Sequence, residues 1–256
     1  MAITRPQSYI DRYYRAWTKD DGCLASFTVT VKETDLLVRI KADPHEVEGL
    51  RHLTEASVKK LRLSLETFLL KQPSFQRALE PLVIPDWSPW IAKLMAQAAQ
   101  LAGVGPMAAV AGAIAWQTGE ELKAYSSEVI VENGGDIYIA STEPRVIAIF
   151  AGESPFSGRL GIKLRPCQTP AGVCTSAGTV GPSLSFGTAD TAMVVARNPA
   201  LADAVATAMG NRVLATCDLQ PAVEWAVTIP GVTGALAIKE DRLAVKGDLE
   251  LVRLNL

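Results

Sequence analysis

The sequence predicts an α+β fold. Strand-like and helix-like segments occur in separate runs along the 256 residues, and this segregation is typical of the class. Hydrophobic residues make up 48% of the chain, enough for a sizeable core. No internal repeat is evident, which argues against a solenoid. We expect a single domain over residues 1–256, with two possible lobes joined near residues 81–89, where the sequence is rich in proline.

The charge balance excludes some functions. The chain has 25 Lys and Arg residues against 27 Asp and Glu residues, a formal net charge of −2. A nearly neutral chain does not fit a basic nucleic-acid-binding protein. The first 21 residues carry several charges and no apolar run, so they do not resemble a signal peptide. We therefore expect a cytoplasmic protein with neither a nucleic-acid nor a membrane partner.

The first half of the chain predicts a hairpin followed by helices. Residues 23–42 alternate as two strands with a turn at Thr34-Asp35, and a helix is expected from Asp43-Pro44 to about residue 71. Ala-rich helices are expected at about 90–102 and 106–124. The uncharged stretch at 94–119 is as long as a membrane span, but glutamines and a Gly-Pro corner interrupt it. Two buried helices with a tight corner fit it better.

The second half predicts strands before a capped helix. Strand candidates occupy residues 128–133, 136–141, 145–152 and 159–166, and the Asn-Gly-Gly-Asp segment at 133–136 is typical of a hairpin turn. A further strand is expected near 191–196. Asn198 and Pro199 are suited to the start of a helix that ends before Gly210. Another helix near 219–228 and two or three closing strands complete the prediction.

Residues 166–189 carry no charged side chain, and glycine alternates there with serine and threonine. We expect this stretch to be a loop. Its backbone N–H groups and hydroxyls suit phosphate oxygens or the polar edge of a heterocycle, and its composition is equally typical of a well-satisfied turn-rich loop. Cys167 and Cys174 flank it, as reduced structural thiols or as groups that relay sulfur.

Asp203 and Thr207 are candidate metal ligands. Their spacing of four residues places a carboxylate and a hydroxyl on one face of the expected helix. Both are hard oxygen donors suited to Mg²⁺, which takes few carboxylates and completes its shell with water and phosphate. A solvated polar edge on an Ala-rich helix would show the same pattern.

Three segments, VENGGDIY at 131–138, GVCTSAGTVG at 172–181 and the stretch at 188–211, together resemble the ApbE-like superfamily. This superfamily is best known as magnesium-dependent FAD:protein FMN transferases, formerly linked to thiamine biosynthesis. With GVGPMAAVAGAIA at 103–115 and AGESPFSG at 151–158, the chain is similar to an uncharacterised cytosolic branch found mainly in anaerobic archaea and bacteria. The resemblance implies one α+β unit with antiparallel or mixed sheets, flanking helices and a central ligand cleft.

The resemblance also implies a site that binds Mg²⁺ and FAD or another nucleotide. Asp203 and Thr207 match the family's Mg²⁺ ligands, and Asp136 or Asp190 would orient a nucleophile. The flavin would lie along the two glycine-containing segments, whose candidate binding residues are Asn133, Gly134, Gly135, Thr175, Ser176, Gly178 and Thr179. A homodimer is a further expectation from the family.

The chain departs from the transferases in two places. It has no lysine between Lys93 and Lys123 and no histidine after His52, so a phosphate-binding cation and a general base of the transferases are missing. The prediction is therefore a Mg²⁺-dependent flavin- or nucleotide-diphosphate-binding protein, with cleavage of the FAD pyrophosphate bond or transfer of FMN as its possible reactions. The alternative is an accessory protein without flavin in anaerobic sulfur assimilation toward homocysteine.

Overall fold

The computed structural model describes residues 24–178 and 186–254. The α+β prediction is confirmed. The helices are α1 (Val47–Lys71), α2 (Pro73–Arg77), α3 (Trp90–Ala102), α4 (Val110–Leu122), α5 (Pro199–Gly210) and α6 (Leu219–Ala226). The strands are β1 (Ala25–Val31), β2 (Thr34–Ile40), β3 (Val129–Asn133), β4 (Asp136–Ala140), β5 (Arg145–Ala148), β6 (Leu160–Leu164), β7 (Ala171–Ser176), β8 (Thr191–Ala196), β9 (Val232–Lys239), β10 (Arg242–Gly247) and β11 (Glu250–Arg253).

The strands form two sheets, and neighbouring strands run antiparallel within them. The larger sheet has eight strands in the order β1-β2-β3-β4-β7-β8-β9-β10, and the smaller has the order β11-β6-β5. In β4 and β7, alternate residues point to opposite faces, as strand geometry requires. Tyr138 and Cys174 pack in the core shared with the helices, whereas Ile139 and Val173 pack in the core shared with the small sheet. The large sheet therefore lies between a helical layer and the small sheet.

Two sequence predictions about local structure are wrong. The stretch at 166–189, expected to be a loop, contains β7, a central strand of the large sheet. Hydrogen bonding on both sides, to β4 and β8, outweighs the weak strand propensity of the glycine in β7. The first hairpin turns at Lys32-Glu33 instead of Thr34-Asp35, which begin β2. Lys32 adopts the left-handed conformation with φ of 54°.

The Ala-rich segment folds as two helices with a corner, as predicted. Gly103 ends α3 with φ of 72°, and a short 3₁₀ turn at Pro106–Ala109 leads into α4. Most side chains along both helices are buried in the core. Among the described residues, no single helix is long and apolar enough to cross a membrane, and the two segments pass that test only as a pair bent by 105°.

Helix α5 begins at the predicted residues. The side-chain oxygen of Asn198 accepts hydrogen bonds from the N–H groups of Ala200 at 2.9 Å and Leu201 at 3.3 Å, so Asn198 is the N-cap. Gly210 is the last residue of the helix instead of the first residue beyond it. The helix lies on β7 and β8 and also contacts α3 and α4, which brings Asp203 under the start of α4.

Close approach of three elements fixes that position. A Cβ atom on Gly172 of β7 would lie 2.4 Å from the Cα atom of Pro199, and one on Gly112 of α4 would lie 2.3 Å from the Pro199 carbonyl oxygen. Both distances are far below ordinary van der Waals contact. Pro199, the first residue of α5, therefore fits between β7 and α4 only because both neighbours are glycine.

Candidate metal and nucleotide site

Two buried carboxylates meet between the large sheet and the helical layer. Asp136 begins β4 and is 7% exposed, while Asp203 lies in α5 and is 9% exposed. The two groups interact electrostatically, because the charge of Asp203 raises the pKa of Asp136. We call Asp136 and Asp203 the carboxylate pair. Charged side chains are almost never buried unless they are paired or bind a metal, so this pair is the first candidate for a functional site.

Asp203 of α5 accepts hydrogen bonds from the first turn of α4. Its Oδ2 atom accepts a hydrogen bond from the N–H group of Gly112 at 2.9 Å, and the N–H group of Ala111 also donates to the carboxylate. Burial raises the pKa of Asp203 to about 7, although these two donors favour the charged form. Asp203 thus supplies an acceptor for the otherwise unpaired first turn of α4.

Asp136 is less well satisfied. Burial raises its pKa well above the usual range, and the charge of Asp203 raises it further, while the Cys174 thiol and the Thr175 N–H group favour the carboxylate. Its Oδ1 atom is buried and has no hydrogen-bond partner. A buried carboxylate oxygen without a partner is costly, so the Oδ1 atom of Asp136 is a candidate contact point for a ligand.

The other predicted metal ligand, Thr207, lies one turn beyond Asp203 on the same helix and is half-buried. Among the residues that the structure describes, no group of three or more His, Cys, Asp or Glu side chains is arranged to hold a metal ion. A site with two carboxylates and a hydroxyl is within the habits of Mg²⁺, which retains water and phosphate ligands. The metal role of Asp203 and Thr207 stays a prediction.

The two glycine-containing segments meet where Gly135 contacts Thr175, as the sequence predicts for these two residues. Gly134 and Gly135 form the β3–β4 turn with φ of 71° and 102°, a conformation that favours glycine. The Thr175 hydroxyl donates to the carbonyl oxygen of Gly135 at 3.2 Å, and the Gly135 N–H group donates to Glu132 at 2.8 Å. The turn is therefore fixed at the edge of the site beside the carboxylate pair.

The remaining predicted binding residues differ in position. Asn133 donates from Nδ2 to the carbonyl oxygen of Ala111 at 3.1 Å, so it ties β3 to the start of α4. Ser176 is buried under the end of α5, where a Cβ on Gly210 would lie 3.6 Å from its Oγ atom. Gly178 donates its N–H to Ala189 at 2.8 Å. Thr179 lies outside the described residues. Flavin binding by these residues stays a prediction.

The structure places Asp190 away from the carboxylate pair. Asp190 precedes β8, which is separated from β4 by β7. Its Oδ2 atom accepts a hydrogen bond from the N–H group of Glu240 at 2.6 Å, and Glu240 adopts a positive φ of 56° in the β9–β10 turn. Asp190 thus stabilises this turn. Its predicted catalytic role is not tested by these contacts.

Sequence reasoning missed the part that Cys174 takes in this site. The thiol is completely buried, donates a hydrogen bond to the carbonyl oxygen of Pro199 at 3.4 Å, and lies beside the Asp136 carboxylate, whose charged form it favours. Burial raises its pKa well above the usual range, and the two carboxylates add to that rise, so it is an unreactive thiol at neutral pH. Predicting β7 as a strand paired with β4 would have revealed this role, because that pairing places Cys174 opposite Asp136.

A second polar network and a cavity lie at the other end of β4. Burial by itself would raise the pKa of Glu128, but donors including Ser141 at 2.5 Å and Arg145 at 2.8 Å lower it to about 2. Beside this network, Lys123 and several hydroxyl side chains line a cavity of about 530 Å³. Ala140, at the end of β4 opposite Asp136, also lines it, so this cavity is not the predicted site.

The fold is that of the ApbE proteins. The crystal structure of a flavinyl transferase ApbE from Pseudomonas stutzeri, in the apo form, gives a TM-score of 0.52 at 14% identity and covers 88% of this chain and 94% of that chain. An ApbE protein from Thermotoga maritima gives a TM-score of 0.53 at 13% identity, covering 88% and 96%. At these identities the likeness shows the shared fold.

Sequence similarity shows the family. A family model described as AbpE bacteria matches residues 15–228, and the chain belongs to this family, as the motifs predict. A UPF0280 protein from Methanocella arvoryzae is 44% identical over 201 residues, covering 78% of this chain and 82% of the relative. One from Methanosphaerula palustris is 47% identical over 181 residues, covering 69% and 73%. One from Methanocaldococcus jannaschii is 37% identical over 233 residues, covering 89% and 93%.

Proposed function

We propose that the protein binds a flavin nucleotide, FAD or FMN, or a related nucleotide diphosphate through a divalent cation, Mg²⁺, held at the carboxylate pair. The observation that carries this proposal is the buried Oδ1 atom of Asp136, which has no partner and lies beside a second buried carboxylate. A divalent cation would balance two like charges and give that oxygen a bond. The donor set of carboxylates with a nearby threonine hydroxyl fits Mg²⁺.

Asp203 and Asp136 would hold the cation, with the Thr207 hydroxyl as a further donor on the α5 face. The N–H groups of Ala111 and Gly112 keep one edge of Asp203 fixed, so its remaining lone pairs are available in a set direction. A bound Mg²⁺ would stabilise negative charge on the phosphates. The chain's own residues restrict solvent around the carboxylates and orient them.

The glycine turn supports the nucleotide part of the proposal. Gly134 and Gly135 have no side chains and lie at the start of β4, so a ligand can approach the backbone beside Asp136. The Thr175 hydroxyl fixes this turn from β7. The fold likeness to a flavinyl transferase favours a flavin nucleotide among the possible ligands, while the comparisons give no support to an accessory role in sulfur assimilation.

The reaction belongs to the same proposal. With the metal at the carboxylate pair, the oxygen of water or of a hydroxyl group would attack the phosphorus atom of the FMN half of FAD. The bridging P–O bond would break, AMP would leave, and the proton of the nucleophile would pass to solvent. The absence of a lysine between Lys93 and Lys123 and of a histidine after His52 favours hydrolysis or simple binding over FMN transfer to a protein. A homodimer remains part of the proposal from family resemblance.

Isothermal titration of FAD into the protein, with and without Mg²⁺, tests this function. Asp203→Asn should abolish Mg²⁺-dependent binding with little change in the melting temperature, because asparagine keeps an oxygen that accepts from Gly112. Thr207→Val should weaken binding more mildly, since it removes one neutral donor of similar shape. Asp241→Asn, which changes an exposed carboxylate, is the matched control and should bind as wild type. Wild-type protein that binds no FAD at any Mg²⁺ concentration would contradict the proposal.

A further inference from the structure

Cys174 lies next to Asp136 and also contacts Pro199, the first residue of the helix that carries Asp203. The β4–β7 register pairs Ile137 with Val173, so the preceding residue Asp136 lies across from Cys174, and both side chains point to the helical layer. The thiol therefore lies beside the Asp136 carboxylate and favours its charged form. Its Sγ atom also lies 3.4 Å from the carbonyl oxygen of Pro199, the first residue of the helix that carries Asp203.

This junction has little freedom to adjust. Pro199 is enclosed by Gly172 on one side and Gly112 on the other, at distances that leave no room for a methyl group. Asp203 follows Pro199 by one helical turn and bonds back to Gly112 at 2.9 Å. The contact between Cys174 and Pro199 is therefore one of those that fix the start of α5, and Asp203 with it, relative to β4.

We propose that Cys174 is a positioning residue of the cation site. It sets the orientation of Asp136 and the position of the start of α5, and it does not bind the metal itself. The inference rests on the proposed function. Three features support it together: the contact to Asp136, the contact to Pro199, and the buried Oδ1 atom of Asp136 that remains free of protein partners. The ligand class is a hard divalent cation, for which Mn²⁺ is a spectroscopic probe.

The size of the effect follows from similar groups around other metal sites. Residues that orient a metal ligand through a hydrogen bond change metal affinity by about 10–100-fold when they are removed. Cys174→Ala removes the thiol donor and its contact with Pro199, so the dissociation constant for Mn²⁺ should rise by roughly that factor. Cys174→Ser retains a donor of smaller size and should restore most of the affinity. A purely structural role of the sulfur as apolar filling predicts no such rescue by serine.

The test is a titration of free against bound Mn²⁺ by electron paramagnetic resonance, with melting temperatures measured in EDTA for each variant. Cys217→Ala, which changes an exposed thiol, is the matched control and should bind as wild type. Weak binding by Cys174→Ala with recovery in Cys174→Ser supports the inference. If Cys174→Ala fails to fold, Cys174→Ser and Cys174→Val are compared, and stronger Mn²⁺ binding by the serine variant gives the same support.

Two results would overturn the inference. Equal Mn²⁺ affinity of wild type and Cys174→Ala, while Asp203→Asn binds none, would leave the proposed function intact and remove the role of Cys174. Equally weak binding by the serine and alanine or valine variants would assign the sulfur to packing alone. If wild-type protein binds no Mn²⁺, the proposed function and this inference fail together.

Discussion

Replacing Gly112 by alanine tests whether the contact between α4 and α5 holds the site together. A methyl group on Gly112 would lie 2.3 Å from the carbonyl oxygen of Pro199 and 2.9 Å from the Cβ atom of Asp203. Both neighbours belong to α5, and the closer is backbone, so it cannot move aside by rotating a side chain. The two helices must separate by about 1 Å to reach ordinary contact distances, which lengthens the hydrogen bond from Gly112 to Asp203.

The magnitude combines three effects. Overpacking costs about 1–3 kcal/mol, and weakening the cap on α4 costs about 1 kcal/mol. The better helix propensity of alanine returns up to about 1 kcal/mol. We expect Gly112→Ala to lower the free energy of unfolding by about 2 kcal/mol, which corresponds to a fall of about 4–8 °C in melting temperature for a chain of this size.

Thermal and urea unfolding followed by circular dichroism measure this change. Gly49→Ala is the matched control, because Gly49 also lies in a helix, yet a methyl group there meets no atom within 4 Å. We expect that variant to be unchanged or more stable by up to about 1 kcal/mol. If Gly112→Ala is as stable as Gly49→Ala, the close contact between α4 and α5 does not exist as described, and the geometry argued for Asp203 is wrong.

Three further predictions concern stability. Wild type should lose about 3 kcal/mol of unfolding free energy as pH falls from about 4.5 to 2, since the pKa of Glu128 is lowered to about 2; Glu128→Gln should flatten this loss in acid urea titrations, and an unchanged slope contradicts it. Asn198→Ala should cost about 1 kcal/mol in the same assay, and no loss would remove its capping role. In EDTA, Asp136→Asn should gain stability relative to wild type as the pH rises above the ordinary carboxyl range, because burial raises the pKa of Asp136 well above that range and the wild-type fold loses stability over that interval. A melting-temperature difference between the two proteins that does not change with pH would contradict this.

The parts of the fold that sequence predicts correctly carry local signals. Asn198 and Pro199 define the start of α5 by their own chemistry, and the glycine turn at 133–136 defines the β3–β4 hairpin. Strand β7 has no such signal. Gly172 is there because Pro199 packs against it, and the hydroxyls of Thr175 and Ser176 are satisfied or buried by neighbours distant in sequence. The composition of β7 is therefore similar to that of a loop.

The candidate site is predictable only in part for the same reason. The helical spacing of Asp203 and Thr207 and their resemblance to the family's motif are visible in the sequence. Asp136 and Asp203 are 67 residues apart in the chain (203 − 136), so their proximity depends on how α5 crosses the sheet. The part played by Cys174 depends on the β4–β7 register. Contacts between segments distant in sequence produce no periodic pattern in either segment. A single sequence therefore indicates which residue types could bind a ligand but not how they are arranged.

Diffraction from crystals grown with Mn²⁺ shows whether the carboxylate pair holds a divalent cation. An anomalous difference map locates the metal without reference to any activity or flavin. We expect one strong peak between the carboxylates of Asp136 and Asp203, within about 2.5 Å of an oxygen of each, and loss of that peak in Asp203→Asn. A map with no peak at the carboxylate pair at saturating Mn²⁺, or with strong peaks only at exposed acidic residues, would contradict it.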